Sequence, residues 1–208
     1  RERISDGRLL ALIEAFLHQG VMESGRGWQP TTKGTPQGAV LSPLLANLYL
    51  HPLDLMAQQK GWQMTRYADD FIVQCSSLEA AEAALKQIRE WMEAVGLTLH
   101  PEKTRIVDAT IPGGFDFLGW HFERGYKWPR EKSLRRFRDS IREETPRNSG
   151  STMESIISRL NRRLKGWYGY FRGGVMGVYP KEDAWIRGRL RHILRQDPDV
   201  VLIGEMRD

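Results

Sequence analysis

Apolar residues recur at helical spacing in five stretches of the chain. The first stretch, residues 6–19, predicts a helix that stops at Gly20. A second helix is predicted to begin with Ser42 as its N-cap and Pro43 at the first helical position, and Pro52 is expected to kink or interrupt it. We expect this second helix to bury three leucines, Leu44, Leu45 and Leu48.

The middle of the chain combines a helix with segments that are typical of strands. A third helix is predicted over residues 78–95 and closes at Gly96. Apolar and β-branched residues on both sides of a turn predict a β-hairpin over residues 65–75, and LTLHPEKTRIV, residues 97–107, predicts a return to strand. This order of helix, hairpin, helix and strand indicates an α+β layer.

The C-terminal part of the chain is predicted to be helical. Ser151 and Glu154 have the spacing of a capping box, and a helical apolar pattern follows them. Its members are Ile156, Ile157, Leu160, Leu164 and Trp167. A last helix is predicted from Trp185 to Leu194. The predicted fold class is therefore α+β, with an antiparallel sheet and packed helices followed by an all-α region.

The predicted hairpin carries two adjacent carboxylates, Asp69 and Asp70, with Ala68 and Asp69 near its tip. Two like charges about 4 Å apart repel by roughly 1 kcal/mol in water and by about 4 kcal/mol at an effective dielectric constant of about 20. An enclosed pair would therefore favour a bound cation or the uptake of protons, and a divalent metal is the natural partner. The alternative is a turn whose aspartates are simply solvated.

Basic charge is concentrated in one region. The 208 residues carry a net charge of +5, and 40% are hydrophobic and 27% charged, which is ordinary for a globular protein. Residues 1–129 hold 13 Lys/Arg and 15 Asp/Glu, residues 130–195 hold 17 and 7, and residues 196–208 hold 1 and 4. The middle region is thus at +10 and also rich in aromatic residues, which favours nucleic-acid binding, although basic helical faces are often merely solvated.

The lone cysteine, Cys75, excludes a disulfide within the chain and suits a reducing compartment. No signal peptide is visible. The most apolar stretch, residues 38–50, contains Ser42, Pro43 and Asn47 and is too short and too polar to span a bilayer. These features predict a cytoplasmic protein with no membrane partner.

Several blocks taken together resemble the reverse transcriptases of group II introns. GTPQGAVLSPLLANLYL, RYADDFIV, GLTLHPEKTRIV and FDFLGWHF occur in the order and approximate spacing of the later palm motifs of that family. SLRRFRDSIRE, RNSG, LNRRLKGWYGYF and WIRGRLRHIL are similar to its maturase-type thumb. The resemblance implies a partial palm over residues 1–128, a helical RNA-binding thumb over residues 129–195 and an unrelated tail over residues 196–208.

The resemblance implies an RNA-directed DNA polymerase that acts on intron or template RNA, an RNA-DNA hybrid and deoxynucleoside triphosphates. It assigns the catalytic and metal-binding role to Asp69 and Asp70. In the family, the paired aspartates hold two Mg²⁺ ions. One of them lowers the pKa of the primer 3′-hydroxyl, and both neutralise charge on the phosphoryl group. Tyr67 and Ala68 lie where the family places residues beneath the primer terminus and the incoming nucleotide, although a tyrosine beside a hairpin is otherwise common core packing.

Three further segments receive binding roles from the resemblance: a loop that would border the nucleotide and template, a lysine near the nucleotide phosphates, and an FLGW segment that would grip the primer. They are Pro36, Gln37 and Gly38 for the loop, Lys103, and Leu118, Gly119 and Trp120 for the primer grip. Without the resemblance, PQG usually marks only a turn, and FLGW also fits an apolar strand with a glycine bulge.

Basic residues of the implied thumb would follow RNA or a hybrid by contacts to phosphates. The candidates are Arg162, Arg163, Lys165, Arg189 and Arg191. We expect the arginines to project outward. Trp167 and Trp185 lie at helical spacing with apolar residues, so we expect them to pack.

Two features depart from the family pattern. The chain begins after the strand that carries the family's first catalytic aspartate, so we expect the fingers and a third metal ligand to be missing, and Asp6 belongs to a helix start instead. The end of the chain resembles the strand that leads to a glutamate, here Glu205, in secretion and pilus ATPases, but no GxxxxGK[ST] loop occurs. We therefore expect the chain alone not to extend a primer. The alternative to a polymerase function is a non-catalytic RNA-binding module that assists splicing.

Overall fold

The computed structural model describes residues 5–18, 20–23, 25, 27–29, 41–146 and 150–194. Within these ranges the fold is α+β, as predicted, and its sheets are antiparallel. The helices are α1 (Gly7–Leu17), α2 (Ser42–Gln59), α3 (Leu78–Ala94), α4 (Glu131–Glu144), α5 (Met153–Phe171) and α6 (Val178–Leu194). The strands are β1 (Val21–Glu23), β2 (Gly27–Gln29), β3 (Gln63–Tyr67), β4 (Asp70–Gln74), β5 (Phe115–Phe117), β6 (Trp120–Glu123) and β7 (Tyr126–Pro129).

The chain divides into two compact units, Arg1–Ile106 and Val107–Asp208. The FLGW segment therefore lies in the second unit together with α4, α5 and α6. Its Trp120 ring packs against Phe171 of α5, with the ring centroids 4.9 Å apart. The boundary between palm and thumb after residue 128, which the resemblance implies, is not tested by this division and stays a prediction.

In the first unit, α2 and α3 pack with the β3–β4 hairpin around one apolar core. Its buried members are Leu50, Leu53, Ile88 and Met92. The predicted buried side of α2 is wrong at two positions, because Leu44 is 64% exposed and Leu48 is 38% exposed. The contact with the hairpin lies further along the helix, so the buried positions of α2 are Leu50, Leu53 and Ala57.

Two predicted helix starts are shifted by one residue. Leu41 rather than Ser42 is the N-cap of α2, and it makes no side-chain capping bond. Thr152 rather than Ser151 caps α5, where its hydroxyl accepts a backbone hydrogen bond at 3.3 Å. Pro52 lies inside α2 without interrupting it, although proline removes one N–H from the helical ladder.

Two other predicted helix ends are confirmed. Asp6 is the N-cap of α1, and its carboxylate accepts from the N–H of Arg8 at 2.8 Å. α3 ends at Ala94, and Gly96 follows with a φ of +74°, a left-handed conformation that glycine adopts at little steric cost.

Residues 97–107 do not form the predicted strand. Leu97 and Leu99 pack against the core of the first unit, and a turn follows in which the N–H of Thr104 donates to the carbonyl of His100 at 2.9 Å. No strand among the described residues pairs with this segment. The alternating apolar residues at the start of this segment are therefore explained by packing against a core and not by a place in a sheet.

The second unit combines a three-stranded β5–β6–β7 sheet with a helical core. The buried core residues are Phe137, Ile141, Ile156, Leu160 and Ile186. Trp167 and Trp185 pack against this core, as predicted, and the Trp167 and Phe137 rings stack with centroids 4.2 Å apart. None of the helices in the described ranges combines the length and apolar character that crossing a membrane requires.

Candidate functional site

The Asp-Asp pair lies at the end of a tight hairpin, as predicted. β3 and β4 pair in antiparallel register up to Tyr67 and Asp70, which leaves Ala68 and Asp69 as a two-residue loop. Ala68 has a φ of +54°, at a loop position where glycine is usual because a side chain is disfavoured there. Both aspartates are exposed, so their carboxylates are open to solvent and to a ligand.

Two other predicted site residues of the first unit are also exposed. Tyr67 is 67% exposed, so core packing does not explain a tyrosine at this position. Lys103 is exposed in the turn that follows His100. The predicted nucleotide-bordering loop, Pro36 to Gly38, lies outside the described residues.

The donor set of the hairpin suits Mg²⁺ when a substrate completes the site. Mg²⁺ takes oxygen ligands, often from one or two carboxylates, with water and substrate phosphates filling the remaining positions. In the part of the chain that the structure describes, no group of three or more His, Cys, Asp or Glu side chains could hold a metal ion. Asp69 and Asp70 thus offer a partial coordination sphere.

An arginine network that was not predicted from the sequence supports the hairpin loop. Arg66 Nε and Nη2 donate to the two carboxylate oxygens of Asp54 at 2.7 and 2.5 Å. Arg66 Nη1 donates to Asn47 Oδ1 at 2.9 Å and to the carbonyl of Ala68 at 2.8 Å. The hydrogen bonds from Arg66 hold the pKa of Asp54 below its ordinary value, against the opposing effect of burial.

The sequence contains two features from which this network could have been predicted. Asn47 and Asp54 are seven residues apart, which places them on one face of α2. Arg66 falls at a half-buried position of β3, whose exposed and half-buried residues alternate. A cation at such a position requires a partner, and an Asp on the packed helix is the expected one.

The FLGW segment forms a second two-residue turn, between β5 and β6. Leu118 and Gly119 have φ values of +47° and +84°, and the flanking residues pair, so the glycine belongs to a turn and the bulge alternative is wrong. Tyr170 Oη donates to the carbonyl of Leu118 at 2.7 Å, and Ser133 Oγ donates to the carbonyl of Gly119 at 2.9 Å. Trp120, at the start of β6, is buried.

Two of the predicted RNA-contacting arginines are engaged within the protein. Arg163 Nε donates to Glu144 at 2.7 Å, and the same carboxylate accepts from Arg159 at 2.8 Å. Arg189 is half-buried and donates to the hydroxyl and the carbonyl of Thr145, each at 2.8 Å. The prediction that Arg189 projects outward is therefore wrong, because its guanidinium holds the C-terminal end of α4.

The other three predicted basic residues, Arg162, Lys165 and Arg191, are exposed. Among the described residues, none of the three has an ion-pair partner. Arg162 and Lys165 are three residues apart on α5, so they lie on the same side of that helix. Their charges are available to a phosphate.

Comparison with known proteins decides the family. The sequence profile described as reverse transcriptase (RNA-dependent DNA polymerase) matches residues 3–122, and that of the group II intron maturase-specific domain matches residues 134–197. The chain belongs to the reverse transcriptase family. This confirms the resemblance drawn from the sequence blocks, and the family match spans the hairpin with Asp69 and Asp70.

Several known proteins match parts of the chain. Protein YkfC of Escherichia coli K12 is 28% identical over 201 residues, covering 80% of this chain and 51% of YkfC. Group II intron-encoded protein LtrA of Lactococcus lactis subsp. cremoris is 43% identical over 72 residues, covering 34% of this chain and 12% of LtrA. Retron Mx162 reverse transcriptase of Myxococcus xanthus is 31% identical over 88 residues, covering 36% and 18%. The chain thus spans about half or less of each of these relatives.

Proposed function

We propose that this chain supplies the metal-binding hairpin and RNA-binding helices of an RNA-directed DNA polymerase of the group II intron type. The observation that carries the proposal is the exposed Asp69-Asp70 pair at the end of a tight hairpin, in a chain of the reverse transcriptase family. Mg²⁺ bound there would neutralise charge on the phosphoryl group and favour ionisation of the primer 3′-hydroxyl.

The protein residues bind and orient the reactants in this proposal. Asp69 and Asp70 contribute carboxylate oxygens to the metal site. The exposed ring of Tyr67 contacts the primer terminus or the incoming nucleotide, and the small side chain of Ala68 leaves room beside it. The remaining contacts to nucleotide, template and primer come from Pro36, Gln37, Gly38, Lys103, Leu118, Gly119 and Trp120.

We also propose that the second unit binds RNA or an RNA-DNA hybrid through phosphates. Arg162, Lys165 and Arg191 supply the main contacts, because their charges have no ion-pair partner among the described residues. Arg163 and Arg189 contribute less, because their guanidinium groups already donate to Glu144 and Thr145.

Mn²⁺ titration followed by NMR tests the metal site, because Mn²⁺ takes similar oxygen ligands and broadens the signals of nearby nuclei. We expect broadening of the amide signals from Tyr67 to Phe71, and its loss in the Asp69→Asn plus Asp70→Asn variant. A matched control, Glu90→Gln plus Glu93→Gln, removes the same two negative charges from exposed positions of α3 and should leave the broadening unchanged. Equal broadening in the parent and the aspartate variant would reject the assignment.

The salt dependence of binding to a labelled RNA duplex tests the RNA surface. Each lost phosphate contact should flatten the log–log slope by about 0.7–0.9, so Arg162→Gln plus Lys165→Gln should flatten it by roughly 1.4–1.8. Lys86→Gln plus Arg89→Gln removes the same charge from exposed positions of α3 and serves as the control. Binding that does not depend on salt would reject the surface. RNA binding without any Mn²⁺ binding would favour the non-catalytic module.

A further inference from the structure

Arg66 occupies a position that normally holds an apolar side chain. It lies on the same side of β3 as Met64, which packs against the core of the first unit, and its side chain is only 10% exposed. Placing a guanidinium there is unfavourable unless its N–H groups are paired. Four hydrogen bonds pair them in this case, to Asp54, Asn47 and the carbonyl of Ala68.

A half-buried ion pair contributes little net stability, because the loss of hydration offsets much of the attraction between the charges. What the Arg66 network does contribute is geometry. Asn47 and Asp54 lie on either side of the buried residues Leu50 and Leu53 in α2, so the partners of the guanidinium are fixed to a packed helix. Because the guanidinium group of Arg66 is planar and rigid, it holds the Ala68 carbonyl at a fixed position relative to α2.

The loop atom that Arg66 holds is the carbonyl oxygen of Ala68. This carbonyl belongs to the same planar peptide group as the N–H of Asp69. Its orientation therefore sets the orientation of the backbone that leads into Asp69 and Asp70. Ala68 also adopts a positive φ without being glycine, a conformation that an L-residue disfavours and that an external contact must support.

We propose that Arg66 is a positioning residue of the metal site: anchored to α2 by Asp54 and Asn47, it holds the Ala68 carbonyl and so fixes the carboxylates of Asp69 and Asp70 for a divalent cation. The inference rests on the proposed metal-binding function of this pair. Arg66 itself touches neither the metal nor the substrate. A lysine at this position keeps the charge but has one nitrogen in place of three, so it cannot bridge Asp54, Asn47 and the loop carbonyl together.

The test compares Arg66→Lys and Asp54→Asn with the parent chain by NMR and Mn²⁺ titration. The amide nitrogen shift of Asp69 reports hydrogen bonding at the Ala68 carbonyl, and the HN–Hα coupling of Ala68 reports its φ. We expect both to change in both variants. We also expect the Mn²⁺ dissociation constant to rise by about tenfold to a hundredfold, as when groups that orient metal ligands are removed.

Two controls separate positioning from folding. Arg89→Lys makes the same substitution at an exposed position of α3 and should leave the Asp69 shift and the Mn²⁺ affinity unchanged. Met64 and Val73, a paired position further along the hairpin, should keep their signals in the Arg66 and Asp54 variants, which shows that the strands still pair.

The outcomes distinguish this inference from the proposed function. If Arg66→Lys leaves the Asp69 shift and the Ala68 coupling at their parent values, the inference is wrong even though the metal site stands. A changed loop with parental Mn²⁺ affinity would also overturn it. A parent chain without any Mn²⁺ broadening at the hairpin would reject the proposed function, and with it the role of Arg66 in that site.

Discussion

The turns at Ala68–Asp69 and at Leu118–Gly119 both reverse the chain in two residues, and in each a side chain donates to a backbone carbonyl of the turn. In the first turn, one charged side chain from the hairpin itself donates to Ala68, and that side chain is anchored to a helix. In the second turn, neutral hydroxyls from α4 and α5 donate to Leu118 and Gly119.

The two turns also differ in how polar and how exposed their surroundings are. The first turn is exposed and carries two carboxylates beside an exposed Tyr67. The second turn is followed by the buried Trp120, whose ring packs against Phe171. A turn that presents charge to a ligand has little apolar packing to fix it, so polar contacts must do so. A turn built into a core is fixed mainly by its aromatic neighbours.

Truncating an aromatic residue beside each turn should give the largest contrast. Phe171→Ala should lower the free energy of unfolding by about 3–5 kcal/mol, because it removes a buried ring that packs on Trp120 and Trp167. Tyr67→Ala should cost less than about 0.5 kcal/mol, because that ring is exposed. Urea unfolding followed by tryptophan fluorescence measures both, and similar losses would contradict the contrast.

Exchanging glycine and alanine in the turns should give a smaller effect. Gly119→Ala should cost about 1–2 kcal/mol, because φ is +84° and the added Cβ would lie 3.2 Å from Ser133 Oγ. Ala68→Gly should stabilise the first turn by up to about 1 kcal/mol by relieving its positive φ. Gly166→Ala, in the exposed side of α5 with open space around it, is the control and should stabilise the chain by up to about 1 kcal/mol. Stabilisation by Gly119→Ala would show that its turn is not restricted to glycine.

Acid should release the first turn and leave the second intact, which is the smallest expected effect. Because the pKa of Asp54 is lowered in the folded chain, its contribution is present above the ordinary value of 3.8 and is lost as the pH falls through the lower folded value. The carboxylate faces Arg66 and, at 3.9 Å, His51, and it lines an open cavity of about 410 Å³ that solvent enters. The Ala68 coupling should therefore change below pH 3.8.

Asp54→Asn is the control for the acid experiment, because the amide at this position has no carboxylate that acid could protonate. The Ala68 coupling of this variant should not change with pH in that range, although Asp69 and Asp70 are still present. A parallel change in parent and variant would show that the aspartates of the turn, and not Asp54, control the loop.

Features set by neighbouring residues were predicted well. The hairpin, the place of Ala68 and Asp69 near its tip, the start of α1 and the end of α3 depend on short-range patterns, and all four are confirmed. The errors concern partners distant in the chain. Residues 97–107 have a strand-like pattern, but no strand among the described residues pairs with them. Leu44 and Leu48 have the spacing of a buried face, but both are exposed.

The same distinction applies to the candidate site. The blocks of sequence were sufficient to identify the reverse transcriptase family and to single out Asp69 and Asp70, because residue types and order carry that information. They did not reveal that Arg189 is engaged with Thr145 while Arg162 remains available. Both are arginines on amphipathic helices, and only the packing of α4 beside α6 distinguishes them.

By itself, the sequence determined five of the six described helices, the turn that carries the carboxylates and the concentration of basic charge in the second half of the chain. Only the tertiary structure decided which polar groups meet. Arg66 reaches Asp54 because α2 packs on β3, and Tyr170 reaches Leu118 although 52 residues separate them. A hydrogen bond depends on ångström-scale distance and direction, and these are fixed only when the apolar cores bring distant segments together.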